Sequence, residues 1–346
     1  MGSGLNNPQG VTLDGAGNAY IADTANNRVV KVPLAGGTQT TVGTGLNSPI
    51  SVALDAAGDV FIADLGSNRV VEVLANGSQT TVGSGLSSPR GVAVDGLGNV
   101  FIGDSGNNRV LKVTPSGDQT TVGSGFNFPG GLAFDAAGNL YIADVGNDRV
   151  EEVTPSGVQT TVPATDLVLP AVVAFDTAGN LFIADYAHGR IEELTPSGVQ
   201  TTVPAIGLTF PQGVAVDAAG DVFIGDSDNN RIVELQRFVV NFGSVSVCAA
   251  GQIPSASCNA TLTLTYTLAA NTTFGPTKVL THNMPNLDFT LSSGGTCKGW
   301  VRAGTCTVNI TFAPLSLGLR TGVVKLVDPS NNILVTVPIH GFGVVQ

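Results

Sequence analysis

The sequence predicts an all-β chain: a six-bladed β-propeller with four-stranded blades over residues 1–237, then an immunoglobulin-like β-sandwich over residues 238–346. Three observations lead there. A short motif recurs six times, from Tyr20-Ile21-Ala22-Asp23 to Phe223-Ile224-Gly225-Asp226, with its aspartates 41, 40, 40, 41 and 41 residues apart. A fixed period of that length marks a repeat architecture. Glycine is abundant, at 45 residues, while only 12% of residues are charged and Val, Thr and Ile are frequent, as in chains of short strands and tight turns. Near Val240 the repeat stops and a polar–apolar alternation replaces it.

One repeat reads as four strands in order. Pro89–Asp95 opens it, and Asn99–Asp104 follows as a nearly all-apolar run, suited to burial on both faces. Arg109–Val113 is third, and the Thr-rich Gln119–Val122 is fourth and outermost. Gly96-Leu97-Gly98, Ser105–Asn108 and Pro115–Asp118 are the turns between them. No segment carries a 3.6-residue apolar period, so helix is not expected. A lone sheet of this kind has two apolar faces, and hiding both requires stacking against neighbours in a ring.

The sixth unit has three strands, Gly213–Asp217, Asp221–Asp226 and Arg231–Leu235, but no Gln-Thr-Thr-Val. Its open edge, Arg231, Ile232, Val233, Glu234 and Leu235, is a pairing template. Three fillers are open: Phe238–Phe242, a strand from another molecule, or residues upstream of Met1. The start Met1-Gly2-Ser3-Gly4-Leu5 joins a repeat in mid-phrase, as comparison with Gly83-Ser84-Gly85-Leu86 shows. The sequence carries no signal peptide and no transmembrane run; the expectation is a trimmed chain whose export signal lay upstream, with no membrane insertion.

The second region alternates along Thr261–Leu268, Thr307–Phe312 and Gly322–Val327, turns at Asp328–Asn332 and returns along Ile333–Ile339. About seven strands in about 105 residues suit a sandwich. All four cysteines lie here, without zinc spacing, so two disulfides in an oxidising compartment are expected. Three pairings are possible; Cys248–Cys258 and Cys297–Cys306 are favoured because each closes a short loop.

Charge is unevenly shared. Residues 1–237 carry 10 Lys/Arg against 24 Asp/Glu, and residues 238–346 carry 5 against 2. An acidic first region excludes nucleic acid as a partner. The −14/+3 asymmetry allows an electrostatic contact between regions or molecules, although two ordinary solvated surfaces would look the same.

The first region resembles the NHL repeat family, through Gly91–Asp95, Phe101–Asp104 and Asn107–Val110 and their counterparts in every unit over residues 5–237. The resemblance implies a six-bladed propeller used mostly for binding. The second region is similar to the ASPM–Hydin type of Ig-like domain of exported bacterial proteins, through Val240–Val245, Cys306–Pro314 and His340–Gly343. That implies an assembly or adhesion module outside the cell.

The recurring acids (Asp23, Asp64, Asp104, Asp144, Asp185, Asp226) and bases (Arg28, Arg69, Arg109, Arg149, Arg190, Arg231) read first as hairpin clamps, with a ring of metal-binding carboxylates as the alternative. A second set, Asp14, Asp55, Asp95, Asp135, Asp176 and Asp217, reads as turn chemistry. Variation between units is more informative. After each proline stand Gln9, Ile50, Arg90, Gly130, Ala171 and Gln212; after each motif aspartate stand Thr24, Leu65, Ser105, Val145, Tyr186 and Ser227. Both sets belong on one face, where variation over a fixed scaffold suits a binding surface, though drift in unused loops would look alike.

Gln9, Arg90, Tyr186, His188, Gln212 and Asp228 are therefore the candidate ligand-binding residues. His188 is the only histidine before residue 238, too few for a three-histidine zinc site. Asp226–Asn230 lacks the glycine and distal glutamate of a calcium loop. No metal, cofactor or catalytic group is expected. The leading functional expectation is a non-catalytic extracellular or cell-surface module that binds a protein or glycan, or self-associates into a polymer by strand addition. The alternative is a propeller lyase or hydrolase acting near Arg90, Tyr186 and His188, which calls for a concave polar pocket with perturbed titratable groups.

Overall fold

The computed structural model describes residues 1–33, 37–203, 205, 207–235, 240–246, 260–268, 272–274, 276–281, 289–301, 304–313, 318–327, 329 and 333–344. They fall into two compact units, Met1–Gln236 and Arg237–Gln346. The described residues are strands, turns and five single-turn 3-10 segments, with no α-helix.

In the first unit, Pro8–Leu13, Ala19–Asp23, Arg28–Val32 and Thr40–Val42 pair in chain order as one antiparallel sheet, typical of a propeller blade. Four more sheets of the same plan begin at Pro49, Pro89, Pro129 and Pro170, and a three-stranded one at Pro211. The first strand of each sheet packs on the first strand of the next, and that of the sixth on that of the first. Apolar layers fill the spaces between sheets. Tyr20, Ala22 and Val29 of the first sheet interleave with Val52, Val60 and Ile62 of the second. The motif isoleucines Ile21, Ile62, Ile102, Ile142, Ile183 and Ile224 are all fully buried. Each contributes about 1.5–3 kcal/mol relative to exposure.

Hydrogen bonds join the sixth sheet to the first. The Ser227 hydroxyl donates to the Pro8 carbonyl at 2.8 Å, and the Asn7 amide donates to Asn230 Oδ1 at 2.7 Å. The Met1 amine donates to the Ile232 carbonyl at 3.0 Å. Val162 N–H to Val150 and Val203 N–H to Ile191 are the equivalent bonds in the fourth and fifth sheets. Met1 thus takes one position on the edge offered by Arg231–Leu235. The filler Phe238–Phe242 is corrected: Val240–Ser246 pairs in parallel with the last strand of the second unit, and that ladder occupies Val240 and Asn241. Phe238 and Val239 lie outside the described residues.

The second unit has one sheet in the order Val240–Ser246, Ile333–Val344, Gly318–Val327, Lys278–Thr281. Another joins Ala260–Leu268, Gly304–Phe312 and Phe289–Leu291, and a short pair joins Thr272–Phe274 to Gly299–Val301. Val308, Ile310, Phe312, Phe289, Val324 and Leu326 bring the two larger sheets onto one core. The disulfide Cys297–Cys306 lies in that core; Cys248 and Cys258 lie outside the described residues.

Candidate functional site

The recurrent acids are consumed by the fold. Each motif aspartate is fully buried and accepts a backbone N–H from the residue 17 positions earlier, as from Ser87 to Asp104 at 2.7 Å. Each also accepts from the Nε of the arginine five positions later, at 2.6–2.8 Å. The second aspartate set closes its turns: Asp14 Oδ1 accepts from the amides of Ala16 and Asn18 at 3.0 and 2.9 Å. Among the described residues no cluster of three or more His, Cys, Asp or Glu is placed to hold a metal ion.

His188 belongs to this framework. Its Nδ1 lies 2.8 Å from Asp185 Oδ2. Asn26, Asn107, Asn147 and Asn229 use the same offset of three to bond their own aspartates. Asp228 is exposed on the 3-10 turn Ser227–Asn229. Neither residue lines the cavity at the proline ends of the first strands, whereas Gln9, Arg90, Tyr186 and Gln212 do.

That cavity holds about 770 Å³, within the usual range for small-molecule sites. The register of the first strands slips just after the proline, between Pro8 and Val11 and between Pro211 and Gly213. Such a bulge frees a residue from the ladder and re-aims its side chain; Gln9 and Gln212 reach the cavity from these positions. Thr24, Ser105 and Ser227 turn their hydroxyls instead to the proline carbonyl of the next sheet. At the same position in the other units, Leu65, Val145 and Tyr186 present apolar or aromatic surface to the cavity, beside Ile50, Gly130 and Ala171.

Arg90 is the exception among the seven arginines of this unit. The other six are all paired with a motif aspartate. No hydrogen bond or ion pair reaches Arg90 from the described residues, and its Nε is buried without a partner. Its guanidinium lies over the Phe128 ring, 4.6 Å from the centroid. Burial holds Arg90 below its ordinary value, while nearby Tyr186 acts in the opposite direction. Gln9 is 8% exposed; its Nε2 donates to Asn7 Oδ1 at 2.9 Å, and its Oε1 has no partner. Among the described residues that line the cavity, Arg90 is the one charged group and Tyr186 the one phenol.

Sequence reasoning missed Phe128, Leu169 and Phe210. Each precedes a proline with φ between +51° and +57°. Phe128 and Leu169 line the cavity, and Phe210 stacks on Tyr186 at 4.8 Å between centroids. The signal was present in the chain. The same position reads Asn7, Ser48 and Ser88 in the first three units and turns bulky in the last three.

The family model of the NHL repeat matches residues 5–32, 86–113, 126–151 and 208–235. No curated protein matches the chain in sequence. Solved structures with the same fold are propeller proteins. Virginiamycin B lyase from Staphylococcus aureus is 17% identical, over 68% of this chain and 85% of that one, with a TM-score of 0.54. A gluconolactonase from Xanthomonas campestris is 18% identical, over 64% and 83%, at 0.54. A structure of the nidogen/laminin complex is 24% identical, over 60% and 84%, at 0.55.

These neighbours correct the functional expectation. A non-catalytic module was expected because the recurrent acids and bases looked structural and no catalytic constellation stood out. The acids and bases are structural. The fold that they build, however, is shared with a lyase and a gluconolactonase, so a structural framework is no argument against catalysis. The expected protein or glycan partner gains only this: a neighbour of similar fold is found in a protein complex.

Proposed function

We propose that residues 1–236 form a six-bladed propeller enzyme of the lyase or hydrolase kind, acting on a small organic substrate in the cavity beside Arg90. The observation that carries this reading is the Arg90 guanidinium, partly buried and without a counter-ion in a cavity of about 770 Å³. An unpaired cation in that setting is costly unless a ligand supplies the missing charge. A carbonyl oxygen that gains negative charge during reaction supplies it. Arg90 would hold that oxygen, Gln9 Oε1 would accept a donor from the substrate, and Tyr186 would carry a proton. The enzyme neighbours support an ester or lactone substrate, since one is a gluconolactonase. A catalytically inactive form of the Staphylococcus aureus lyase carries a histidine-to-alanine change and was solved with quinupristin. Among the described residues no histidine lines the cavity, so in this reading proton transfer falls to Tyr186 or to water.

We further read the second unit as an Ig-like sandwich of an exported protein, supported by its two sheets on one core and by the Cys297–Cys306 disulfide. The functional test is turnover of a panel including gluconolactone and quinupristin, followed by mass spectrometry. Arg90→Gln is expected to lower turnover about 100-fold or more, as for loss of an oxyanion donor. Turnover unchanged in Arg90→Gln, or no turnover of any ester or lactone, would remove the reading.

A further inference from the structure

The residue before each proline adopts the left-handed conformation, with φ of 51°, 52°, 47°, 57°, 51° and 51° at Asn7, Ser48, Ser88, Phe128, Leu169 and Phe210. Asn tolerates that region, but bulky residues pay for it in strain. Proline restricts its predecessor further. The backbone support is also uneven. In the first five units this residue's amide donates to a left-handed Asn or Asp of the neighbouring sheet, as from Phe128 to Asn108 Oδ1 at 2.8 Å and from Leu169 to Asp148 Oδ1 at 2.7 Å. For Phe210 the corresponding residue is Gly189, which has no side chain; Tyr186 stacks on the Phe210 ring instead. Leu169 and Phe210 nonetheless remain 38% and 37% exposed. Bulky groups held in a strained conformation, and left partly in water, do little for the fold. Strain of this kind clusters at ligand sites.

The cavity therefore has two unlike sides. Units four to six line it with an apolar crescent of Phe128, Leu169 and Tyr186, the last backed by the Phe210 ring stacked on it. Units one to three contribute the polar Gln9, Thr24 and Ser48 together with Ile50 and Leu65, but no aromatic ring, and the Gln9 Oε1 is buried without a partner among the described residues. Arg90, from the third unit, lies over Phe128 of the fourth, where the two sides meet. We propose that the substrate class is aryl-bearing carboxylic acid derivatives: an aromatic ring packs on the crescent while a carboxylate or acyl oxygen takes the Arg90 guanidinium. This deepens the proposed function and rests on the same cavity.

Isothermal titration calorimetry on the full chain tests it, with 3-phenylpropionate, propionate and 3-phenylpropionamide as probes. Burying one ring predicts that the aryl acid binds at least about tenfold more tightly than propionate. The amide, lacking the charge, is expected to bind more weakly than the aryl acid. Replacing both Leu169→Asn and Phe210→Asn, the residue found at position 7, should cut 3-phenylpropionate affinity at least about fivefold, leave propionate unchanged and raise Tm. Equal affinity for the two acids, no heat from either at millimolar concentration, or unchanged aryl affinity in the double variant would overturn the proposal. Binding of the aryl acid without turnover of any ester or lactone would sink the enzyme reading and leave this one standing. Turnover of gluconolactone together with equal affinity for the two acids would do the reverse.

Discussion

The first unit uses arginine in two settings. Six arginines repeat with the period, and each donates its Nε to a fully buried aspartate at 2.6–2.8 Å. Arg90 stands where the repeat varies, and among the described residues it meets an aromatic ring in place of a carboxylate. The contrast separates scaffold from site. A polar group that recurs has its hydrogen bonds filled by its own hairpin and has nothing left to offer a ligand. A group that breaks the pattern and keeps an unpartnered donor among the described residues, as Arg90 does at Nε, is free to meet a ligand. The same division applies to carboxylates, since every motif aspartate is taken up by amides and guanidinium.

The largest expected effect falls on the framework. Asp104→Ala strips partners from the Ser87 amide at 2.7 Å, Asn107 Nδ2 at 2.8 Å and Arg109 Nε at 2.7 Å. It should cost about 3–5 kcal/mol, read from the denaturant midpoint. A cost within experimental error would erase the distinction drawn above. Next is Gly225→Ala. Its new Cβ would lie 2.2 Å from the Gln9 carbonyl oxygen, a backbone atom that cannot step aside. Overpacking at the seam between the sixth and first sheets should cost about 1–3 kcal/mol. A neutral result would mean that the ring closes more loosely than described.

The smallest effect concerns Tyr141, outside the cavity. Desolvation first, then Glu152 and Asp135, push its phenol up to about 12 from 10.0. A raised folded-state value means that its contribution to stability is full below about pH 10 and is lost as pH rises through about 12. Ultraviolet titration should show a late-ionising tyrosine that Tyr141→Phe removes. If every tyrosine titrates near 10, the packing around Phe175, at 4.7 Å between ring centroids, is looser than the geometry implies.

Much of the scaffold was legible because it is local. The spacing of the motif aspartates, the turns and the Asp–Arg pairs at an offset of five involve residues close in sequence. The Cys297–Cys306 pair, nine residues apart, was legible for the same reason. The role of His188 was legible too, had the repeats been aligned: it stands where four other units have asparagine. The site was harder to read. Gln9 and Gln212 could be placed on one face, but the burial of Gln9 depends on sheets far apart in the chain. The choice of Gly103 and Gly225 over alanine reflects the Gly130 and Gln9 carbonyls of the next sheet, which no local pattern reveals. The left-handed backbone at Phe128, Leu169 and Phe210 runs against what those residue types and the following proline favour.

The central claim is that repeating residues hold the fold and non-repeating ones hold the ligand. Paired variants Arg90→Gln and Arg109→Gln test it most directly, each assayed for Tm and for 3-phenylpropionate binding. Arg109→Gln should lower Tm and keep affinity, because it unpairs Asp104 and leaves the cavity untouched. Arg90→Gln should keep or raise Tm and lose affinity about tenfold or more. The opposite pattern, with stability lost at Arg90 and binding lost at Arg109, would contradict the account.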